Sequence, residues 1–154
     1  MTDMNQKVSA HFSLREMCRS QTAMRQNIDN TPGPIEIECM VKLARAILEP
    51  VRMEFGKPFA PSSGYRSVDL NKAVGSKSTS QHCFGQAVDF EIGGIANDEV
   101  ARWIKYNLDF DQLILEFYDG EDPNSGWIHV SYVPAEENRQ QSLVYYGKSY
   151  TSFE

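Results

Sequence analysis

The stretch from Ser80 to Phe90 constrains this chain most, because it combines a strand pattern with small side chains on one face. After Gly85 the residues alternate as in a half-buried strand, whose successive side chains point to opposite faces. One face carries bulky apolar residues that anchor the strand in a core. The other face holds Gly85, Ala87 and the carboxylate of Asp89. These small residues leave clearance in front of Asp89, which indicates that the face accommodates another group.

A second strand pattern, at residues 126–132, places His129 on one face with Trp127. A single histidine on a strand is more often a hydrogen-bonded residue than a ligand. Here, however, the chain has only 3 histidines, and His82 and His129 both lie in these two stretches. Together with Asp89 they make three ligands with a fourth position open. That pattern is typical of catalytic rather than structural zinc.

The two stretches resemble the zinc peptidases of the M15 group, on the pattern Ser80-x-His82-x-x-Gly85-x-Ala87-x-Asp89 followed by Trp127-x-His129. That group includes D-alanyl-D-alanine carboxypeptidases and dipeptidases and bacteriophage L-alanyl-D-glutamate endolysins. The resemblance covers roughly residues 12–133, and its amino-terminal part is similar to the short phage-encoded members. Further matching segments are Phe12-Ser-Leu-Arg-Glu16, Asn30-Thr-Pro32, Ser63-Gly-Tyr-Arg-Ser67, Leu70-Asn71 and Val74-Gly75-Ser76.

The resemblance implies Zn²⁺ as the cofactor and peptidoglycan stem peptides as the substrate. Arg66 matches an arginine of the family, which implies contact with the substrate's carbonyl or carboxylate. Ser80 matches a serine that helps to hold the substrate, and Tyr65 is a third candidate for substrate contact, although a tyrosine there could simply pack. Which bond is cut stays open between D-Ala–D-Ala, L-Ala–D-Glu and the D-Ala-to-diaminopimelate cross-link, as does the choice between carboxypeptidase and endopeptidase.

A zinc hydrolase also needs a base that takes the proton of the attacking water and returns it to the leaving amine. Many M15 enzymes carry this glutamate three residues before the second histidine ligand. Here that position is Gly126, which departs from the family's pattern. The departure leaves two readings open, a site without activity or a base supplied from elsewhere in the chain.

The preceding strand offers a replacement in Glu116. Residues 112–118 and the strand after them predict an antiparallel hairpin. If Tyr118 pairs with Trp127, Glu116 lies directly opposite His129, with Cβ atoms ~5 Å apart. We therefore predict Glu116 as the base, with a surface glutamate paired to a lysine or arginine as the alternative. In the related zinc fold of hedgehog signalling domains, a glutamate likewise comes from the strand before the last ligand.

The rest of the chain predicts a scaffold of helices. Ser13 and Glu16 form a capping-box pattern for a short helix, and residues 35–55 carry apolar residues at helical spacing, with Pro50 expected to kink or divide the helix. Further expected elements are a strand at 58–62, a helix at 68–73, a helix capped by Asn97 and an edge strand at 143–146.

In this order the elements predict a single α+β domain over residues 1–154, with helices packed on a small, mainly antiparallel sheet. This is the architecture of the hedgehog and D,D-peptidase type, and we expect residues 1–11 and about 136–154 to be peripheral. The length of 154 residues is enough to bury a core without metal or disulfide support. Cys18 and Cys39 are expected to be free buried thiols.

Composition limits the classes of partner. A net charge of −6 argues against nucleic acid, whose phosphates need clustered lysine and arginine. The sequence has no apolar run long enough for a transmembrane helix and no secretory signal at its start. We therefore expect a monomer that is made in the host cytoplasm, has no membrane partner, and reaches the cell wall after release or as part of a virion.

Two functions from different classes remain. The first is a zinc metallopeptidase of the cell-wall lytic kind that phages encode. The second is a non-catalytic zinc-binding module with a structural or interaction role in a virion, which the glycine at position 126 and the acidic charge favour to some degree.

Overall fold

The computed structural model describes residues 1–154 and shows a single α+β domain, as the sequence predicts. Helices pack against one mainly antiparallel sheet. In chain order the elements are β1 (Lys7–Ser9), β2 (Phe12–Ser13), α1 (Leu14–Cys18), α2 (Gln21–Gln26), α3 (Pro34–Leu43), a π-helical segment (Ala44–Leu48), α4 (Glu49–Phe55), α5 (Val68–Ala73), a 3₁₀ turn (Gln81–Phe84), β3 (Ala87–Phe90), α6 (Asn97–Asn107), β4 (Gln112–Glu116), β5 (Trp127–Ser131), a 3₁₀ turn (Ala135–Glu137), β6 (Gln141–Tyr145) and β7 (Tyr150–Ser152).

The main sheet has the strand order β3-β5-β4-β6-β7, and β1 pairs with β2 separately. All neighbours in the main sheet are antiparallel except β4 and β6, which are parallel. The expectation of an edge strand at 143–146 is wrong, because β6 lies between β4 and β7. Residues 136–154 are also not peripheral, since they supply two strands and bury Val144 and Phe153 in the core.

The long helical stretch is interrupted where the sequence places Pro50. A proline lacks the N–H of an ordinary helical residue, and its ring clashes with the carbonyl four residues earlier. The chain accommodates this by forming the wider π-helical turn over Ala44–Leu48 directly before α4. The stretch ends at Gly56, whose φ of 63° gives the left-handed conformation common after helices.

Two local predictions have different outcomes. The Ser13 hydroxyl accepts from the Glu16 backbone N–H and the Glu16 carboxylate accepts from the Ser13 N–H, so the predicted capping box is present. Asn97 is not the cap of α6, because Ala96 occupies that position. The Asn97 side-chain nitrogen instead lies 3.1–3.3 Å from the carbonyl oxygens of residues 124–126, which ties the loop before β5 to the helix.

The expected strand at 58–62 does not form. The strand pairing near it is limited to an isolated bridge between Ser63 and Asp89, which holds this segment beside β3. None of the helices combines the length and the apolar composition that a membrane-spanning segment requires.

The two faces of the sheet differ sharply in character. One face packs on the helices through fully buried apolar residues of β3, β4 and β5, namely Val88, Phe90, Leu113, Leu115, Ile128 and Val130. The opposite face carries Asp89, His129 and Glu116 at alternate positions of the same strands. The helices thus hold the sheet rigidly from behind and leave its polar face open.

Candidate metal centre

His82 is fixed by a short turn in front of the sheet. The Ser80 hydroxyl accepts from the His82 backbone N–H at 3.3 Å, and Gly85, with φ of 72°, ends the turn. The His82 side chain is buried and its Nδ1 lies 2.7 Å from the carbonyl oxygen of Gly64. Because a carbonyl only accepts, Nδ1 carries the proton, which leaves Nε2 with a free lone pair.

Asp89 and His129 meet because β3 and β5 pair in the register that sets these two residues opposite each other. Asp89 Oδ1 lies 2.9 Å from His129 Nδ1 and 3.5 Å from His82 Nε2. Burial raises the pKa of Asp89, but the hydrogen bond with His129 and the proximity of both histidine rings outweigh it and hold the pKa well below its ordinary value. Burial lowers the pKa of His82, so the structure favours a carboxylate and a neutral imidazole, the ionisation states in which these groups bind metals.

The three side chains fit a metal ion. Their ligand atoms all lie within 4.8 Å of one another. Two ligands at ~2.0–2.1 Å from a tetrahedral zinc are ~3.3 Å apart, which is close to the separations of Asp89 Oδ1 from the two rings. The Gly64 carbonyl supplies the outer hydrogen bond that orients a metal-binding histidine. The ligands His82, Asp89 and His129 predicted from sequence are therefore brought together.

Glu116 lies in the same cleft, although the predicted register is wrong. Ile114 is opposite His129, and Glu116 is opposite Trp127. The pairing differs because β4 ends at Glu116, where Phe117 adopts a φ of 52° and turns the chain away. Since the displacement is two residues, Glu116 keeps the same face as His129 and becomes its diagonal neighbour.

The environment of Glu116 alters its acidity. Burial raises the pKa of Glu116, the charge of Asp89 adds to this, and His129 opposes it. A carboxyl group with a raised pKa exchanges protons closer to neutral pH, which suits acid–base chemistry.

Position 126, where many M15 enzymes carry the base, is closed to any side chain here. Gly126 has a φ of +68°, and a Cβ added to it would lie 1.7 Å from the backbone oxygen of Glu116. Only glycine allows the hairpin to close in this way. The departure from the family's pattern therefore follows from the turn, which places the strand carrying Glu116 against this position.

The predicted substrate residues have different surroundings. Arg66 lines the cleft, with Nη2 3.8 Å from Asp89 Oδ2 and Nη1 3.4 Å from Asn71 Oδ1. Ser80 also lines the cleft. Tyr65 is buried in the core and lines a separate, smaller groove.

The cleft, which encloses about 940 Å³, also includes residues that sequence reasoning missed. Lys77, Arg139 and Tyr150 line it beside the candidate metal ligands, together with Trp127, which the sequence already places on the face of His129. Arg139 and Tyr150 come from the carboxy-terminal segment, whose polar composition indicated a peripheral tail. The available signal was the apolar run in residues 143–146, which implied that the segment joins the sheet.

The comparisons with known proteins identify the family of the chain. A family model described as Peptidase M15 matches residues 10–131, which contain the three candidate ligands and Glu116. A search of curated proteins returns no match. Because the family match spans most of the 154 residues, the chain belongs to the Peptidase M15 family.

Proposed function

We propose that the protein is a zinc metallopeptidase that hydrolyses amide bonds in peptidoglycan stem peptides or their cross-links. The observation that carries the proposal is the convergence of His82, Asp89, His129 and Glu116 on one cleft in a member of a peptidase family. The amino-terminal segment resembles short phage-encoded members, so we propose a phage cell-wall lytic enzyme. A single chain supplies every residue of this site, and a monomer is therefore sufficient.

His82, Asp89 and His129 would hold the zinc ion. A zinc ion bound there supplies Lewis-acid polarisation of the scissile carbonyl and makes a water molecule acidic enough to lose a proton near neutral pH. Asp89 stays ionised in this setting because His129 Nδ1, 2.9 Å from Asp89 Oδ1, stabilises the carboxylate and keeps its pKa low.

Glu116 acts as the base and then as the acid. One oxygen of its carboxylate accepts the proton of the attacking water, and the resulting carboxylic acid gives this proton to the leaving amine. The burial that raises the pKa of Glu116 makes the ionised form a stronger base and keeps the proton available for the second step. Ile114, the neighbour of Glu116 on the cleft face of β4, is buried and limits the access of other water molecules from that side.

Arg66 and Ser80 position the peptide. The Arg66 guanidinium is held between Asn71 and Asp89, so its remaining donors are oriented for a carbonyl or carboxylate of the substrate. Ser80 lines the cleft directly before the turn that carries His82. Both residues bind and orient the substrate and take no proton from it.

The test is digestion of purified peptidoglycan by zinc-loaded protein, with and without a chelator, and identification of the products by mass spectrometry. We expect a defined peptide whose release the chelator abolishes. Glu116→Gln should lower the rate by about 10²- to 10⁴-fold while zinc content stays unchanged. The matched control is Glu121→Gln, an exposed carboxylate of the loop between β4 and β5, which should keep full activity.

Each failure has a distinct meaning. Full activity in Glu116→Gln would show that another group is the base. No product from a wild-type chain that binds zinc would favour the alternative, a non-catalytic zinc-binding module of a virion.

A further inference from the structure

Arg139 is an exposed cation whose position is fixed by a buried carboxylate. Asp111 is only 3% exposed. Its two carboxylate oxygens accept hydrogen bonds from Arg139 Nε at 2.9 Å and Nη2 at 2.8 Å, and from the Arg139 backbone N–H at 3.0 Å. Gln81 Nε2 donates to the same carboxylate at 2.8 Å. The Arg139 side chain is nevertheless 56% exposed and lines the cleft.

This arrangement leaves Arg139 ready to bind a second anion. A guanidinium group has five N–H donors, and the two bonds from its side chain to Asp111 leave three unused. Because Asp111 already restricts the rotamers of the side chain, binding costs little further conformational entropy. Arginine also matches the fork of a carboxylate with two parallel hydrogen bonds.

The sheet places Arg139 on the far side of the metal centre from Glu116. Gln112, Ile114 and Glu116 follow one another on the cleft face of β4, and Ile114 is opposite His129. Asp111, which holds Arg139, directly precedes Gln112. Asp111 is three residues from Ile114, and three residues of a strand span ~10 Å, so an extended peptide over the centre would reach Arg139 about three residues from the scissile bond.

The other cations of the cleft are less suited to this role. Arg66 is mostly buried and lies 3.8 Å from Asp89, so its charge is directed to a candidate metal ligand. Lys77 is exposed on a loop and makes no hydrogen bond or ion pair that would fix its side chain. Arg139 alone combines a fixed orientation with access to solvent.

We propose that Arg139 binds a free carboxylate of the peptide substrate and makes the cleft selective for acidic peptides; this specificity rests on the proposed function of the same site. Arg139 lies outside residues 10–131, the part of the chain that the family model matches. The preference is therefore a property of the carboxy-terminal segment. Stem peptides with L-lysine at the third position offer two such carboxylates, on the D-glutamate residue and at the carboxy terminus.

The test compares three synthetic pentapeptides, L-Ala-γ-D-Glu-L-Lys-D-Ala-D-Ala and two analogues in which either the free α-carboxylate of D-Glu or the carboxy terminus is a carboxamide. Dissociation constants are measured on zinc-loaded Glu116→Gln protein, which leaves the peptide intact, and kcat/KM on protein with Glu116. We expect one of the two amides to bind about 10- to 100-fold more weakly than the acid. The amide that binds more weakly identifies which of the two carboxylates contacts Arg139.

The ratio of the dissociation constant of that amide to the dissociation constant of the acid measures the selectivity. Arg139→Gln should reduce this ratio to near one. The matched control is Lys77→Ala, which removes an unfixed cation from the same cleft and should leave the ratio unchanged. Because Arg139→Gln leaves Asp111 buried without its partner, the double variant Asp111→Asn/Arg139→Gln is measured as well and should show the same loss. A purely structural role of Arg139 would weaken acid and amide binding equally and leave the ratio intact.

The proposal is overturned by a wild-type ratio near one, by an unchanged ratio in Arg139→Gln, by loss of the ratio in Lys77→Ala, or by failure of all three peptides to bind. These results are separable from the proposed function. An Arg139-dependent ratio in binding without hydrolysis of any peptide would refute the peptidase and support the carboxylate site. Hydrolysis of the acid and of both amides at equal rates would support the peptidase and refute the carboxylate site.

Discussion

Replacing Gly126 with alanine tests how the hairpin presents Glu116. Gly126 has a φ of +68°, and an added Cβ would lie 1.7 Å from the Glu116 carbonyl oxygen and 2.9 Å from the Phe117 carbonyl carbon. Real Cβ atoms essentially never approach closer than 3.0 Å, so the two strands must separate by about 1.3 Å, the difference between 3.0 and 1.7 Å. The atom in the way is backbone and cannot rotate aside.

The expected loss of free energy of unfolding in Gly126→Ala has two parts. A side chain in the left-handed conformation costs ~1–2 kcal/mol, and forcing extra atoms into a packed region costs ~1–3 kcal/mol. Gly126→Ala should therefore lower the free energy of unfolding by about 2–5 kcal/mol, a large part of the ~5–15 kcal/mol that stabilises a typical domain.

Urea denaturation of the zinc-free protein measures this change, and Gly56→Ala is the matched control. Gly56 has a φ of +63° but no atom within 4 Å of an added Cβ. Its replacement should cost only the conformational part, ~1–2 kcal/mol. Equal destabilisation of the two variants would refute the steric argument.

The same geometry predicts a result for activity. Gly126→Glu restores the spacing at which many M15 enzymes carry their base, yet we expect it to destabilise the fold and not to rescue Glu116→Gln. Hydrolysis of peptidoglycan by the Gly126→Glu/Glu116→Gln double variant would show that position 126 can hold a side chain after all. It would also remove the reason for assigning the base to Glu116.

The remaining predictions concern pH, metal and a loop. Hydrogen bonds with Arg139 lower the pKa of Asp111 from its ordinary 3.8 to about 2, so the ionised group stabilises the fold above pH ~4 and this contribution is lost as pH falls towards 2. Asp111→Asn should accordingly be less stable than wild type by ~2 kcal/mol at pH 6 in urea denaturation, with a gap that narrows below pH 4; a constant gap would contradict the linkage. Zinc at ~100 times its Kd should stabilise the wild type by ~2.7 kcal/mol and raise Tm by about 5–10 °C in a thermal melt; an equal rise in Asp89→Asn would place the metal elsewhere. Asn97→Ala removes the side chain nearest the carbonyls of residues 124–126 and should cost ~1–3 kcal/mol; an unchanged urea midpoint would show that the loop is held by other contacts.

The face on which each strand residue of the candidate metal site lies could be predicted because strand alternation is a local signal. Alternation along β3 and β5 decides which side chains share a face, and His82 and Asp89 lie only a few residues apart in sequence. The register of Glu116 could not be predicted in this way. A shift of two residues leaves every side chain on its original face, so the hydrophobic pattern fits both registers equally well. The choice depends on the φ values of Phe117 and Gly126, which the pattern does not encode.

Arg139 was missed for a different reason. Its partner Asp111 is 28 residues away in sequence, and the two meet only because the segment after β5 returns to place β6 beside β4. A parallel pairing of this kind has no local turn signature, unlike a hairpin. Pro50 is an intermediate case: the sequence predicted a disturbance of the helix, and packing decided that it takes the form of a π-helical turn.

The parallel pairing of β6 with β4 has a consequence for the order in which the molecule is completed. During synthesis from the amino terminus, a nascent chain that ends at Ser131 already contains His82, Asp89 and His129, yet β4 is still an open edge with unpaired N–H and C=O groups. Such an edge invites pairing with other chains, so the ligands exist before the sheet is protected. The last two strands therefore cover the open edge of β4 in the completed protein. A chain truncated before them should still contain the candidate ligands but should aggregate through the exposed edge of the sheet.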